Sequence, residues 1–296
     1  MNSLQRRTGI LFGLLAAAIW GGMYVVSKVV LEVVPPFTLL TLRLLLGIAS
    51  LAAWVSWQRA WPQLSRGQWL RLLAVGTLGY GVSLGFQFAG TQLSTAANGA
   101  VITAATPAFV FLFAWLLLRE RIGWRQVAAL LLSTAGVLMI IDPFQVRLDS
   151  ELGVGNLLLV GAAVTWALYS VLVRQSTQQV DPLAFTLISF IGGLLVALPA
   201  AALELRTQTV GAATPGVALG IVYLGVISTA VAAYLWNKAF AVLPAGMAAL
   251  TFFAQPLVGA GLGIGLLGEP FTLQFAAGAA LILLCLWMAA QPDRIN

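Results

Sequence analysis

Two apolar stretches decide the fold of this chain: TPAFVFLFAWLLLRE at Thr106–Glu120 and QPLVGAGLGIGLLGE at Gln255–Glu269. In each stretch a polar residue precedes a proline, and a lone glutamate follows that proline by 13 residues. The run between proline and glutamate is hydrophobic enough to lie in a bilayer. The repeated spacing indicates that one chain uses the same kind of membrane segment twice.

Composition extends this interpretation to the whole chain. Of the 296 residues, 60% are hydrophobic and only 8% are charged, whereas soluble domains carry roughly 25% charged residues. The apolar residues are spread along the full length, and a bilayer span needs about 20 of them. The predicted fold class is therefore an all-α polytopic membrane protein with short loops and no separate soluble domain.

Apolar runs that are broken by proline, glycine or charge predict ten transmembrane helices. The first run follows a basic N-terminus, as in a signal peptide, but it continues past signal length and is predicted to remain as the first helix. The ten predicted spans are 8–28, 38–57, 70–90, 94–118, 124–141, 153–173, 183–203, 216–237, 243–267 and 271–290.

The positive charges predict the orientation of these spans. With the N-terminus inside, eleven of the 15 Lys and Arg residues lie on the cytoplasmic side, three lie outside and Arg43 falls within a span. This asymmetry follows the positive-inside rule, so both termini are expected in the cytoplasm, at the inner (plasma) membrane of a bacterium. Because the cations are scattered through loops, the net charge of +6 does not indicate a nucleic-acid partner.

The chain also matches itself. A shift of 146 residues takes Trp20 to Trp166, and a shift of 149 takes the first proline-to-glutamate stretch to the second. We therefore expect two five-helix halves, 1–142 and 153–296. Because each half has an odd number of spans, the second half would enter the membrane inverted, as in carriers that alternate access around a midplane site.

A family resemblance starts from the stretch WGGMYVVSK at Trp20–Lys28, followed by Pro35–Pro36 and by Arg43. With the two proline-to-glutamate stretches, these residues resemble the EamA-type members of the drug/metabolite transporter superfamily. In the second half an alanine rather than a glycine follows Trp166, and no cation matches Arg43. The resemblance implies ten helices in two inverted repeats around a central cavity, and the chain is most similar to bacterial YddG-type amino-acid exporters.

Polar residues within the third, fourth, eighth and ninth spans are candidates for lining that cavity. Inside a bilayer such groups need partners or water, so a water-filled cavity and hydrogen bonds between helices are the two interpretations. The cavity is favoured for the amides, which have several hydrogen-bonding groups to satisfy, and neither interpretation is favoured for the hydroxyls. The candidates are Tyr80, Ser83, Gln87, Asn98, Thr106, Tyr234, Asn237 and Gln255.

Aromatic residues on the first and sixth spans form a second candidate set. They lie well inside their spans, which argues against an interfacial belt. As cavity walls they would offer flat apolar or cation–π surface to a substrate. The set consists of Trp20, Tyr24, Trp166 and Tyr169.

Three further features suggest gates, hinges and anchors. Arg43 lies about 9 Å into the second span, where a charge is either functional or able to snorkel outward. Pro107 and Pro256 are predicted hinges, because proline removes a backbone donor from a helix. Glu120 and Glu269 are predicted structural anchors, each placed just before the next helix, whose N-terminal amides it would stabilise.

The run GxGxGxG between Gly259 and Gly265 superficially suggests a nucleotide loop. No strand precedes it and it lies within a span, so this interpretation fails. Small residues four apart favour close helix packing instead, Gly259 with Gly263 and Gly261 with Gly265.

The residue types that are missing from the predicted spans exclude several classes of function. There is no His, a single Cys at 285, and no acidic residue deep in any predicted span. We therefore expect no metal, no cofactor and no nucleophile–base pair, hence no enzyme. The missing proton carrier favours facilitated diffusion or exchange over proton antiport.

The sequence thus predicts a carrier that moves small amphipathic metabolites out of the cytoplasm by alternating access, most readily neutral or aromatic amino acids. Zwitterions suit a polar, aromatic-walled cavity, whereas phosphates would call for more fixed cations. Two alternatives stay open: an efflux carrier for lipophilic cations, and a channel or scramblase without alternating access. The particular substrate, the coupling, and the choice between monomer and homodimer are open as well.

Overall fold

The computed structural model describes residues 3–59, 61–93, 102, 105–140, 150–212, 214–267 and 273–290. Over these ranges the chain is helical with connecting turns, and strands are absent from them. The helical runs are α1 (Ser3–Leu31), α2 (Pro36–Trp57), α3 (66–93), α4 (Thr106–Leu118), α5 (Trp124–Ile140), α6 (Ser150–Ser176), α7 (Pro182–Glu204), α8 (Pro215–Val242), α9 (245–267) and α10 (Leu273–Ala290).

Within this described part, five helices are long and apolar enough to cross a membrane: Pro36–Trp57, Arg66–Gly90, Gly153–Ser176, Pro182–Glu204 and Pro215–Val242. Shorter apolar helices occupy parts of α4, α5, α9 and α10. Large apolar side chains such as Leu157 and Leu219 point outward on these helices. The prediction of an all-helical polytopic membrane protein is thus confirmed, whereas ten crossings in two inverted halves stay a prediction.

The helices pack in matched pairs. The helix α2 packs along α7, and α5 packs along α10. The helix α1 packs on α8 and α9, and in the same way α6 packs on α3 and α4. Exchanging the first five helices for the last five leaves the α2–α7 and α5–α10 pairs unchanged and converts the contacts of α1 into those of α6.

Both α3 and α8 contain a π-helical segment, which the sequence did not predict. The segments are Thr77–Ser83 and Tyr223–Val231, and the shift of 146 residues takes the first residue of one to the first residue of the other. A side chain at Gly79 would overlap the ring of Tyr169, so this glycine permits the close approach of α3 to α6. A wide π turn leaves some backbone carbonyls without their usual helical donor, and one of them is used at the site below.

The first turn of α2 depends on a distant side chain. Its N-cap is Pro35, which makes no side-chain cap. The carboxylate of Glu204, at the end of α7, accepts hydrogen bonds from the amides of Phe37 at 3.1 Å and Thr38 at 2.8 Å. The matching helix α7 is capped locally, because Asp181 accepts from its second residue at 2.8 Å. This role of Glu204 was not predicted.

The predicted hinges take a different form in the structure. Pro107 lies in the first turn of α4, where its missing donor breaks no helical hydrogen bond. In α9, a 3-10 turn at Thr251–Phe253 separates Ala245–Leu250 from Ala254–Leu267, and Pro256 follows that turn. In α9 the irregularity therefore precedes the proline, and the hinge role of both prolines stays a prediction.

The glycine run of α9 makes less contact than predicted. A Cβ added at Gly259 would lie 3.5 Å from the carbonyl oxygen of Gly21. An added Cβ at Gly261 or Gly265 meets no described atom within 4 Å. Gly261 and Gly265 contact no other helix among the described residues, so their predicted packing role stays a prediction.

Candidate functional site

A cavity of about 140 Å³ lies among helices from both halves of the chain. Its wall combines apolar side chains with a few amides, hydroxyls and indoles. The residues predicted from sequence that line it are Trp20, Arg43, Tyr80, Ser83, Gln87, Thr106, Trp166 and Gln255.

The cavity extends toward the end of the bundle at which α1 passes into α2. Leu31, the last residue of α1, lines it, as does Leu40 near the start of α2. A second pocket around the α1–α2 turn shares Leu31 and Phe88 with it. The cavity and this second pocket are therefore adjacent at this end of the bundle.

An aromatic layer closes the cavity on the opposite side. The ring centroid of Trp20 lies 5.8 Å from that of Trp166 and 5.4 Å from that of Trp236. Tyr80 packs edge-on against Trp166 at 5.7 Å. Each of these rings is at least nine-tenths buried, so the layer is a tightly packed plug rather than an open passage.

Below this layer, buried polar groups form a chain of hydrogen bonds. The hydroxyl of Tyr169 lies 3.0 Å from the hydroxyl of Tyr80 and donates to Oδ1 of Asn237 at 3.0 Å. Nδ2 of Asn237 donates to Thr186 at 2.9 Å, and Thr186 donates to the carbonyl of Pro182. Tyr169 and Asn237 were predicted to line the cavity; they lie beneath it, because these contacts hold them in the packed core.

The remaining predicted site residues lie elsewhere or outside the description. Tyr234 packs on Trp54 at 5.1 Å and its hydroxyl accepts from Lys238 at 3.2 Å, away from the cavity. Asn98 and Glu269 lie outside the described residues, and so does the side chain of Tyr24.

Arg43 faces the cavity and does not snorkel to the surface. Its side chain is only 5% exposed. Nε donates to Oγ1 of Thr229 at 3.0 Å, and Nη2 lies 3.1 Å from Sδ of Met23. The hydroxyl of Thr229 in turn donates to the carbonyl of Leu224, five residues earlier in the π segment. The π turn of α8 thus orients the acceptor that holds the guanidinium.

The two matching tryptophans differ in their hydrogen bonds. Nε1 of Trp20 donates to the carbonyl of Ser228 at 2.9 Å. Nε1 of Trp166 is buried and has no hydrogen-bond partner among the described residues, and the same is true of the hydroxyls of Ser27 and Ser228. All three of these groups belong to residues that line the cavity.

The described wall of the cavity carries charge of one sign only. Among the described residues that line it, Arg43 is positively charged and none is acidic. Groups of three or more His, Cys, Asp or Glu that could hold a metal ion are also absent from the described part of the chain. The chemistry that this wall offers is hydrogen-bond donation, one fixed positive charge and aromatic surface.

Glu120 ties together three helices at the end away from the cavity mouth. Its carboxylate accepts from the amide of Ala245 at 3.1 Å and lies 3.9 Å from Nε of Arg174. Arg174 also donates to the carbonyl of Ala241 at 2.7 Å. The expected partner was the next helix, α5, but the left-handed turn at Arg119, with φ of 54°, brings the carboxylate to the first turn of α9 instead.

Comparison with known proteins identifies the class of protein that this fold and cavity define. The model of the EamA-like transporter family matches residues 7–142 and matches again at residues 153–291. The chain belongs to this family and is a multi-pass membrane transporter.

Several proteins of similar sequence are described as transporters. An uncharacterized transporter of Archaeoglobus fulgidus is 28% identical over 258 residues, covering 87% of each chain. The uncharacterized transporter YcxC of Bacillus subtilis is 29% identical over 288 residues, covering 95% of this chain and 92% of that one. The uncharacterized inner membrane transporter YhbE of Escherichia coli is 31% identical over 195 residues, covering 62% of this chain and 60% of that one.

A solved crystal structure shares the same fold. It aligns with a TM-score of 0.81 over 96% of both chains at 22% identity. At this identity the likeness concerns the arrangement of the helices and not the substrate.

Proposed function

We propose that the protein exports small amphipathic metabolites, most readily neutral or aromatic amino acids, from the cytoplasm by alternating access. The observation that carries the proposal is the cavity between the two parts of the chain. It extends toward the α1–α2 turn, and packed aromatic rings close its other side. A carrier that is caught in one of its two states has this asymmetry.

The orientation of the termini assigns these ends to the two sides of the membrane. With the N-terminus in the cytoplasm, as the distribution of Lys and Arg favours, the α1–α2 turn lies outside. The cavity then faces outward, and the cytoplasmic end carries the aromatic layer and the Glu120–Ala245 contact. In the proposed cycle this end opens to load substrate.

Two halves of inverted orientation, 1–142 and 153–296, supply the movement. The matched helix pairs and the π segments at corresponding positions of α3 and α8 support this part of the proposal. If each half can adopt the arrangement that the other now has, the closed end opens and the open end closes. The π segments and the 3-10 turn of α9 are the irregular points at which the helices would bend.

The wall of the cavity favours a neutral or zwitterionic substrate. Gln87 and Gln255 bring amides to it, and the indoles of Trp20 and Trp166 bring aromatic surface. A lipophilic cation would gain from a buried carboxylate, and the described lining contains none. The resemblance to YddG-type exporters agrees with an amino-acid substrate.

The test is transport by the purified protein in liposomes that are loaded with amino acids, cationic dyes or sugars, with and without a pH gradient. We expect saturable counterflow of amino acids, independent of the gradient. Movement of dyes without amino acids would favour multidrug efflux, and leakage that neither saturates nor shows counterflow would favour a channel or scramblase.

Substitutions in the proposed site make the test specific. Gln255→Ala and Asn98→Ala should lower the transport rate while the protein still inserts and folds. Arg71→Gln, an exposed change on α3, is the control and should leave the rate unchanged. Wild-type rates in the first two variants would remove these residues from the site.

A further inference from the structure

We infer that an anionic phospholipid binds in a groove at the end of α4, with its phosphate on the guanidinium groups of Arg119 and Arg121 and an acyl chain along the exposed face of α4. This groove shares no lining residue with the central cavity. The inference goes beyond the proposed function, since it depends neither on the substrate nor on the direction of transport.

The groove combines apolar and basic side chains in one wall. Trp115 is 57% exposed and Leu116 is 53% exposed. A wall of this kind fits a ligand that carries an anionic group next to a hydrocarbon chain, as a phospholipid does. The lining residues are Trp115, Leu116, Arg119, Glu120, Arg121 and Ile122.

The apolar part of the groove belongs to a longer exposed face of α4. Leu112, Trp115 and Leu116 follow i, i+3 and i+4 spacing, so they share one side of the helix, and all three are exposed. Arg119 follows where the helix ends. In a membrane transporter such a face meets acyl chains, and an indole one turn before the helix end is typical of the headgroup level. The phosphate of a lipid that lies along this face would therefore reach Arg119.

The two arginines present their guanidinium groups to that phosphate. Both side chains are exposed, and neither makes a hydrogen bond or ion pair with the residues that the structure describes. Guanidinium binds phosphate oxygens through two N–H groups at once. Basic pockets at the ends of transmembrane helices bind lipid headgroups by the same chemistry.

The backbone at Arg119 supports a role for its side chain. Its φ of 54° and ψ of 30° are left-handed, a conformation that glycine or asparagine usually takes at the end of a helix. An arginine carries a conformational cost there that glycine avoids. A bound phosphate would offset this cost, and the adjoining apolar face favours a phosphate that belongs to a lipid.

The acidic residue of the lining does not cancel the positive charge. The carboxylate of Glu120 accepts from the amide of Ala245 and lies 3.9 Å from Nε of Arg174, whose charge offsets its own. Arg125, whose guanidinium lies 5.9 Å from the ring centroid of Trp124, adds a further cation to the same segment. The groove thus attracts an anionic headgroup more than a zwitterionic one.

The test measures lipid binding to the purified chain in neutral detergent by native mass spectrometry. Phosphatidylglycerol and phosphatidylcholine with the same acyl chains are compared, and we expect the first to bind more tightly. Arg119→Asn/Arg121→Gln should weaken phosphatidylglycerol about 25-fold, at about fivefold for each basic residue, and should change phosphatidylcholine far less. Asparagine tolerates the left-handed conformation, so this variant is expected to fold.

Two further variants separate headgroup from acyl-chain contacts. Arg66→Gln/Arg71→Gln is the matched control, because it removes the same charge from exposed positions of α3 outside the groove; it should leave phosphatidylglycerol binding unchanged. Trp115→Ala should weaken both lipids, because it removes interfacial surface that does not depend on the headgroup. Thermal unfolding with each lipid gives a second measurement, since a ligand of the folded state raises Tm.

The outcomes are distinct from those of the transport assay. Equal binding of the two lipids by the wild type, or equal losses in the two double variants, would overturn the inference. Displacement of phosphatidylglycerol by glycerol 3-phosphate at equal concentration would assign the arginines to a soluble phosphate and would overturn it as well. Because the measurement is binding, a negative result leaves the proposed function standing, and a failure of amino-acid counterflow leaves the lipid site standing.

Discussion

The indole nitrogen of Trp20 on α1 donates a 2.9 Å hydrogen bond to the backbone carbonyl of Ser228 on α8. In an α-helix this carbonyl would accept from the amide of Ala232. The π turn changes that, because the amide of Ala232 bonds the carbonyls of Ile227 and Thr229 instead. The carbonyl that the π turn releases is thus the one that holds the tryptophan at the floor of the cavity.

Trp20→Phe should therefore lower stability, whereas Trp166→Phe should mainly weaken transport. The first removes the donor to Ser228 and should lower the free energy of unfolding by about 1–3 kcal/mol, the cost of a buried unsatisfied group. The second removes an N–H without a described partner and should leave stability nearly unchanged while weakening transport. Thermal unfolding in detergent and liposome counterflow measure the two effects. Equal stability losses in both variants would contradict the assignment.

The buried polar chain should behave as structure rather than as a substrate contact. Tyr169→Phe removes the donor to Oδ1 of Asn237, and we expect it to lower the free energy of unfolding by about 1–3 kcal/mol. The hydroxyl of Tyr234 lies on the partly exposed side of α8 near Lys238. Tyr234→Phe should therefore lower the free energy of unfolding by under about 1 kcal/mol. Unchanged substrate affinity in the folded Tyr169→Phe protein is the expected companion result. A changed substrate affinity would instead place Tyr169 in the site.

Glu120 should act as an anchor and not as a proton carrier. Glu120→Gln keeps an oxygen for the amide of Ala245 and loses only the long, partly exposed ion pair with Arg174, a change of under about 1 kcal/mol. Glu120→Ala removes both contacts and should cost about 1–2 kcal/mol, as for a lost helix cap. Transport by Glu120→Gln should keep the wild-type response to a pH gradient. A lost or inverted response would assign proton coupling to this carboxylate.

A disulfide should lock the closed end. A Cβ added at Gly9 on α1 would lie 2.6 Å from Cγ of Leu243, which follows α8, so cysteines at these two positions are close enough to bond. In a Cys285→Ala background, oxidation of Gly9→Cys/Leu243→Cys should stop counterflow, and reduction should restore it. Each single cysteine variant serves as the control. Full activity with the disulfide formed would show that this end does not open during transport.

Much of the fold was predictable because a bilayer leaves few choices. Every backbone group in a span must be satisfied internally, so each long apolar run has to be a helix. Every helix of the described structure overlaps one of the predicted spans. The first two, Ser3–Leu31 and Pro36–Trp57, begin a few residues earlier than predicted, whereas the fourth is described only from Thr106. Several of the predicted polar and aromatic candidates also line the cavity, since a polar group within a span has few other places to lie.

The errors have a common origin in side-chain direction and helix register. Asn237 was expected at the cavity because it is polar, but Tyr169 and Thr186 satisfy it within the core. Tyr234 was expected at the cavity because it is polar, but it packs on Trp54 and accepts a hydrogen bond from Lys238. Spacing along one helix shows which residues share a face, yet it does not show which neighbour that face meets.

By itself, the sequence determined that this chain is a helical membrane protein and showed repeated spacings along it, because hydrophobic run length and residue spacing are local properties. Only the tertiary structure decided that Arg43 turns inward and that Glu204 caps α2 across 166 residues. It also decided that the indole N–H of Trp20 finds an acceptor while that of Trp166 has none among the described residues. These contacts join residues from distant helices, and the π turns that make some of them possible depend on how neighbouring helices pack. A pattern read along one chain does not contain that information.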